Sequence, residues 1–160
     1  MKHKVDPIPT GYHTVTPYII VRGAVKALEF YKEAFGAKEM FRMQLPNGRI
    51  THAEMKIGDS PVMLKKEMPA TSCHCQSPAT LGGSPVFLYL YIENVDAFAV
   101  RALAAGAKII SPLQDHFYGD RSCGLMDLFG HIWHVSTHVE DVPPEELRIS
   151  AEAFTKQPQK

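Results

Sequence analysis

Apolar positions recur along this chain with two different periods, and the switches between them mark its elements. Residues 17–21 form a short β-branched and aromatic run, Pro17-Tyr18-Ile19-Ile20-Val21, which predicts a strand. Ala24, Leu28, Tyr31 and Phe35 follow at helical spacing and make one face of a helix. Gly36 ends that helix, because glycine takes the left-handed C′ conformation at little cost. Residues 38–43, 50–57 and 62–65 read as three more strands, separated by the turns Pro46-Asn47-Gly48 and Gly58-Asp59-Ser60-Pro61.

The second half repeats this order. Residues 86–92 predict a strand, and Asn94 or Asp96 caps a helix that turns Ala99 and Leu103 inward and stops at Gly106. Residues 108–110 predict a strand halted by Pro112, and residues 122–126 a weaker one. Asp127-Leu128-Phe129-Gly130 then turns into a last strand over 131–137. Ala34-Phe35-Gly36-Ala37-Lys38 and Ala104-Ala105-Gly106-Ala107-Lys108 sit 70 positions apart at equivalent places, so one strand-helix-three-strand module is used twice. The modules span about 11–66 and 84–138 within a single α+β domain. Residues 66–85, rich in Ser, Pro, Thr and Gly, predict a joining loop. A C-terminal extension over 140–156 is expected to be helical from Pro143-Pro144-Glu145-Glu146 onward. Its apolar Leu147, Ala151 and Phe154 would pack on the domain or on a partner subunit.

Composition narrows the function. Lys+Arg and Asp+Glu both number 17 in the 160 residues, so no basic excess is present to hold a phosphate backbone, and nucleic-acid partners are not expected. No apolar run approaches membrane-spanning length, and the N-terminus lacks the apolar core of a signal peptide. An odd count of 3 cysteines predicts a reduced, cytoplasmic protein.

The doubled βαβββ module, with Phe30-Tyr31-Lys32-Glu33-Ala34-Phe35-Gly36-Ala37 closing its first helix, resembles the vicinal-oxygen-chelate superfamily. Thr51-His52-Ala53-Glu54-Met55-Lys56-Ile57-Gly58-Asp59-Ser60, Tyr118-Gly119-Asp120-Arg121, Asp127-Leu128-Phe129-Gly130-His131-Ile132-Trp133 and Thr137-His138-Val139-Glu140-Asp141-Val142 are similar to its PhnB-like, glyoxalase/bleomycin-resistance branch. The resemblance covers about residues 11–150. It implies a cavity enclosed by curved sheets, a homodimer, and in metal-dependent members a divalent ion held from three strands. Those metal positions fall at or beside Thr16, at Val86 or Phe87, and at His134. Only His134 is a good ligand, so the expectation is a protein without a resident metal. A partial site of His52 and His134, with Glu54, for Zn, Ni, Mn or Fe is the alternative.

His52 and Glu54 alternate on one strand and therefore share a face. They read either as an acid/base pair or as an ion pair supporting the sheet. His134 is the other candidate for catalysis or ligand contact. Met63, Phe87, Tyr89, Phe117, Tyr118 and Trp133 are candidate lining residues, although Trp133 and His131 are expected to point away from the His134 face. Arg121 reads as a clamp for a carboxylate or phosphonate, or as a structural partner of Asp120 or Asp127. Cys73-His74-Cys75 resembles part of a metal motif but lacks a second ligand pair, and Cys123 reads as a small apolar residue. Two functions follow: a metal-free binder of a small amphipathic molecule, or a metal-dependent lyase, isomerase or dioxygenase of the superfamily acting on an α-oxygenated or thiol-conjugated substrate. A regulatory or scaffolding module has no positive feature in the sequence.

Overall fold

Each half of the chain makes one four-stranded sheet with a helix across one of its faces. The computed structural model describes residues 5–71 and 75–155. The first module runs β1 (Tyr18–Val21), α1 (Ala24–Phe35), β2 (Lys38–Gln44), β3 (Ile50–Ile57) and β4 (Ser60–Lys66). The short helix α2 (Pro78–Leu81) lies in the join. The second module runs β5 (Phe87–Tyr91), α3 (Val95–Ala104), β6 (Lys108–Asp115), β7 (Asp120–Met126) and β8 (Ile132–His138), and α4 (Pro144–Thr155) follows. Sheet orders are β1-β4-β3-β2 and β5-β8-β7-β6, so each first strand pairs in parallel with the last strand of its own module. This is the expected doubled α+β module.

Alternation along the strands sorts side chains onto two faces. Ile19, Val21, Ala53, Met55, Val62 and Leu64 are buried beneath α1, and Cys123, Leu125, Trp133 and Val135 beneath α3. The opposite face of each sheet is open. The modules meet helix to helix: Phe35 packs on Phe98 and on Trp133, each at 4.9 Å between ring centroids. Arg101 Nε also donates to the Ala34 carbonyl at 2.9 Å, closing the end of α1 against α3.

Several expectations need correction. Strand β6 does not stop at Pro112 but continues to Asp115; β6 is an edge strand and its pairing with β7 shifts register around Pro112, which places the missing N–H where no ladder bond is needed. Leu103 is 40% exposed, and Val95, Phe98, Ala99 and Ala102 form the inner face of α3 instead. The join is not wholly irregular: Pro78 starts α2, and Glu67 accepts from the hydroxyls of Ser77 and Thr80, holding the join against the end of β4. Helix α4 buries no residue, and its ring contact is Phe154 with Phe117 at 5.6 Å. Asn94, not Asp96, caps α3, its side chain accepting from Ala97 N at 2.9 Å.

Candidate functional site

The two open faces carry different chemistry. On the first module, β3 presents His52 and Glu54 beside Met63 of β4 and Phe41 and Met43 of β2. His52 Nε2 lies 2.9 Å from Glu54 Oε1, and His52 Nδ1 lies 2.9 Å from the Tyr18 hydroxyl. The Tyr12 hydroxyl bonds the second oxygen of Glu54. Hydrogen bonds from His52, then from Tyr12, hold the Glu54 carboxyl below its usual range, while burial opposes them. An ionised Glu54 favours the proton on Nε2, so Nδ1 accepts from Tyr18. The result is a hydroxyl–imidazole–carboxylate chain, Tyr18–His52–Glu54, on a half-buried surface.

The second module is an aromatic wall. Phe87, Tyr89 and Tyr91 project from alternate positions of β5 and remain 58%, 48% and 66% exposed. His134 sits beside them on β8, 5.1 Å from the Phe87 ring and stacked at 6.1 Å on Tyr89. Tyr118 adds a further ring, stacked on His116 at 4.8 Å. Behind the wall, buried Asp120 accepts from Tyr91 at 3.0 Å and pairs with His138 Nδ1 at 2.9 Å. The Asp120 bond pushes the Tyr91 phenol up to about 12. Tyr89 reaches Ser136 at 2.6 Å.

Most candidate residues therefore fall on the open faces, although on two different sheets. Met63, His52 and Glu54 belong to one, and His134, Phe87, Tyr89 and Tyr118 to the other. Phe117 sits at the rim, against Tyr118 and α4. Two candidates lie elsewhere. Arg121 lies on the α3 side of β7, where it grips Asp96 in a two-pronged pair at 2.8 and 2.9 Å and reaches Asp115 at 3.0 Å. Its carboxylate partners are Asp96 and Asp115 rather than the expected Asp120 or Asp127. Trp133 is 1% exposed in the core and donates to Asp127 at 2.9 Å, so it does not line the open face. Of Cys73-His74-Cys75, the first two lie outside the described residues. Cys123 is buried, and burial pushes its thiol up.

Sequence reasoning missed Tyr12, Tyr18, Tyr91, Asp120 and His138. The period-two run Phe87-x-Tyr89-x-Tyr91 carried a signal for Tyr91, and Tyr18 stands two residues after Thr16, at the start of β1. Nothing local marked Tyr12, which reaches Glu54 across 42 positions.

The metal positions implied by the resemblance do not make a donor set. The Thr16 hydroxyl donates to the His13 carbonyl at 3.1 Å, Phe87 offers hydrocarbon, and His134 lies among aromatic rings. These residues do not fit a resident divalent ion.

Two βαβββ units, each with one helix-covered and one open face, define the chain as a doubled-module α+β domain. Residues 12–135 match the family model of the Glyoxalase/Bleomycin resistance protein/Dioxygenase superfamily, and the chain belongs to it. It is 38% identical over 138 residues to the uncharacterized protein Rv0887c of Mycobacterium tuberculosis, covering 85% of this chain and 81% of that one. Among solved structures, TioX from Micromonospora sp. ML1 is similar with TM-score 0.63 and 26% identity, over 79% of this chain and 99% of that one. The genomically encoded fosfomycin resistance protein FosX from Listeria monocytogenes, complexed with Mn(II) and a sulfate ion, shares the fold at TM-score 0.61 and 17% identity, over 86% of this chain and 97% of that one. Among the described residues, no helix is long and apolar enough to cross a membrane.

Proposed function

We propose that this protein is a cytoplasmic small-molecule binder of the PhnB-like branch, acting as a homodimer and without a resident metal. The observation that carries this reading is the aromatic wall. Phe87, Tyr89 and Tyr91 stand exposed beside His134, while Trp133, Val135 and Leu125 on the reverse face of the same sheet are fully covered. An exposed apolar patch of this kind marks a binding surface. In a dimer, a second copy would supply the opposing wall and enclose a cavity with aromatic area on one side and the Tyr18–His52–Glu54 chain on the other. Apolar area would provide affinity, and the few polar groups would orient the ligand. The ligand class is amphipathic and aromatic rather than polyanionic, because Arg121 is already held by Asp96 and Asp115.

The test combines elemental analysis, sedimentation and a thermal-shift screen of small aromatic compounds. A metal-free dimer stabilised by such compounds, with the gain lost in Phe87→Ala, is the expected result. Stoichiometric Zn, Ni, Mn or Fe that disappears in His134→Ala would sink the reading.

A second reading rests on the Tyr18–His52–Glu54 chain. A hydroxyl bonded to an imidazole that is oriented by a carboxylate is the arrangement of general-base catalysis. Here Tyr18 would pass its proton to His52 Nδ1 and take one from an α-oxygenated substrate. Turnover abolished in both Tyr18→Phe and His52→Gln, with binding retained, would favour catalysis over binding alone.

A further inference from the structure

A separate cavity of about 380 Å³ opens where the start of β1 faces the start of β5 beneath the join. Pro17, Ile19, Leu81, Val86 and Leu88 supply its walls, and His131 contributes an imidazole. No Asp, Glu, Lys or Arg lines it among the described residues. This is the size and composition of a small-ligand pocket: mainly apolar, with few polar groups. It shares Tyr18 with the first open face but none of the aromatic wall of the second.

His131 gives the cavity its chemistry. Its side chain is 9% exposed, and its Nδ1 is buried without a well-aligned hydrogen bond, 3.3 Å from Asp127 Oδ2. Asp127 is already engaged by Tyr31, Trp133 and two backbone N–H groups, so it does not turn to follow the ring. A carboxylate beside Nδ1 favours the tautomer protonated there. The other nitrogen, Nε2, is then an acceptor, and among the described residues no hydrogen bond to it is found. The buried atom without a partner is Nδ1; Nε2 is an accessible acceptor, which a donor entering the cavity would meet.

We propose that this seam cavity is a second ligand site, which takes an uncharged, mainly apolar molecule of about one ring whose hydroxyl or N–H donates to His131 Nε2. Among the described residues no counter-ion for a charged ligand lines the cavity, and burying an unpaired charge is costly. Both modules and the join line the cavity, so an occupant bridges them. The proposal stands independently of what binds the open faces.

The experiment titrates 4-ethylphenol, and separately ethylbenzene, into the full-length protein while amide and imidazole NMR shifts are followed. The expected result is saturable shifts at Ile19, Val86, Leu88 and His131, with the phenol bound about tenfold more tightly than the hydrocarbon, the worth of one buried hydrogen bond. Val86→Trp, at a rim position that is 60% exposed, fills the cavity without touching the core. It should weaken both probes by at least about tenfold, the scale expected when a side chain occupies the volume they need. His131→Phe should erase the preference for the phenol; if that variant does not fold, Val86→Trp still decides. The proposal is overturned by an absence of saturation, by saturable shifts confined to Phe87, Tyr89 and His134, by equal affinity for the two probes, or by wild-type affinity in Val86→Trp.

Discussion

The Tyr31 hydroxyl donates a 2.5 Å hydrogen bond to Asp127 Oδ2, joining the helix of the first module to the turn before the last strand of the second, 96 positions away. The same oxygen accepts from Trp133 Nε1 at 2.9 Å, and Oδ1 accepts the backbone N–H groups of Phe129 and His131. A carboxylate buried this deeply is tolerated only because every lone-pair direction is occupied. Burial alone would push the Asp127 carboxyl up. The neighbouring His131 imidazole, then bonds from Tyr31 and Trp133, overcome it and hold the group below the usual range. A depressed folded pKa contributes stability that is present above the ordinary carboxylate value and is lost as pH falls through the folded one. Tyr31→Phe should therefore cost about 1.5–3 kcal/mol at pH 7, as removal of a bond to a charged acceptor does. It should also move acid unfolding to higher pH. Urea melts at pH 7 and an acid titration followed by Trp133 fluorescence check both, and an unchanged acid midpoint would refute the role given to Asp127.

Phe87→Ala separates stability from function. Phe87 is 58% exposed and belongs to no buried cluster, so its truncation should change unfolding free energy by no more than about 0.5 kcal/mol. Binding of aromatic compounds should fall by about tenfold or more, as for a central aromatic anchor. Parallel chemical melts and ligand titrations of the two proteins measure this. A large loss of stability with unaltered binding would place Phe87 in the fold rather than in a site.

How much of this was legible in the sequence follows from the range of each signal. Helix α1 was readable because Ala24, Leu28, Tyr31 and Phe35 repeat at one period, and all four are buried. His52 and Glu54 were readable as a pair because strand alternation is local. Asp127–Tyr31 and Tyr12–Glu54 were not, since partners this far apart are set by how the modules pack. The partners of Arg121 were misplaced for a related reason. Its position on β7 places it on the α3 side, where the first turn of that helix supplies Asp96, and the motif around Tyr118 gives no sign of that neighbour. Proline normally stops a strand, and Pro112 was read so. Only the sheet order, which places β6 at an edge, shows why the strand continues.

The pH response of His138 offers a test of the polar layer behind the aromatic wall. Its imidazole is held by Asp120 at 2.9 Å and by Asp141 at 3.0 Å. The bond to Asp120, then that to Asp141, raises its pKa above the ordinary histidine value of 6.5. A raised folded pKa contributes stability that is fully present below the unfolded value and is lost as pH rises through the folded one. The ring is exposed, so the effect on stability should be small, while the titration itself should be plain. Imidazole NMR should give a midpoint above 6.5 for His138, returning toward that value in Asp120→Asn. A midpoint at or below 6.5 in the wild-type protein would contradict the pairing.

Gly119 fixes where the chain goes after the last strand. Its carbonyl accepts from Val139 N at 2.8 Å and Glu140 N at 3.1 Å, so the segment leaving β8 runs directly against the turn before β7. Its φ is +88°, in the left-handed region, and a Cβ built there would stand 2.0 Å from the Glu140 carbonyl oxygen. Both the backbone conformation and the contact exclude a side chain, and the obstacle is main chain rather than the end of a flexible side chain. Gly119→Ala must therefore either distort the turn or push residues 139–140 away. Either response should cost about 1–3 kcal/mol, the usual range for an overpacked or strained position. Displacement should also loosen the nearby pair of His138 with Asp120. Hydrogen exchange at the Val139 and Glu140 amides should rise sharply in Gly119→Ala, while exchange in β3 and β4 should change only through the global stability. Native protection at Val139 and Glu140 in a fully stable variant would show that the close approach is not a constraint on the fold.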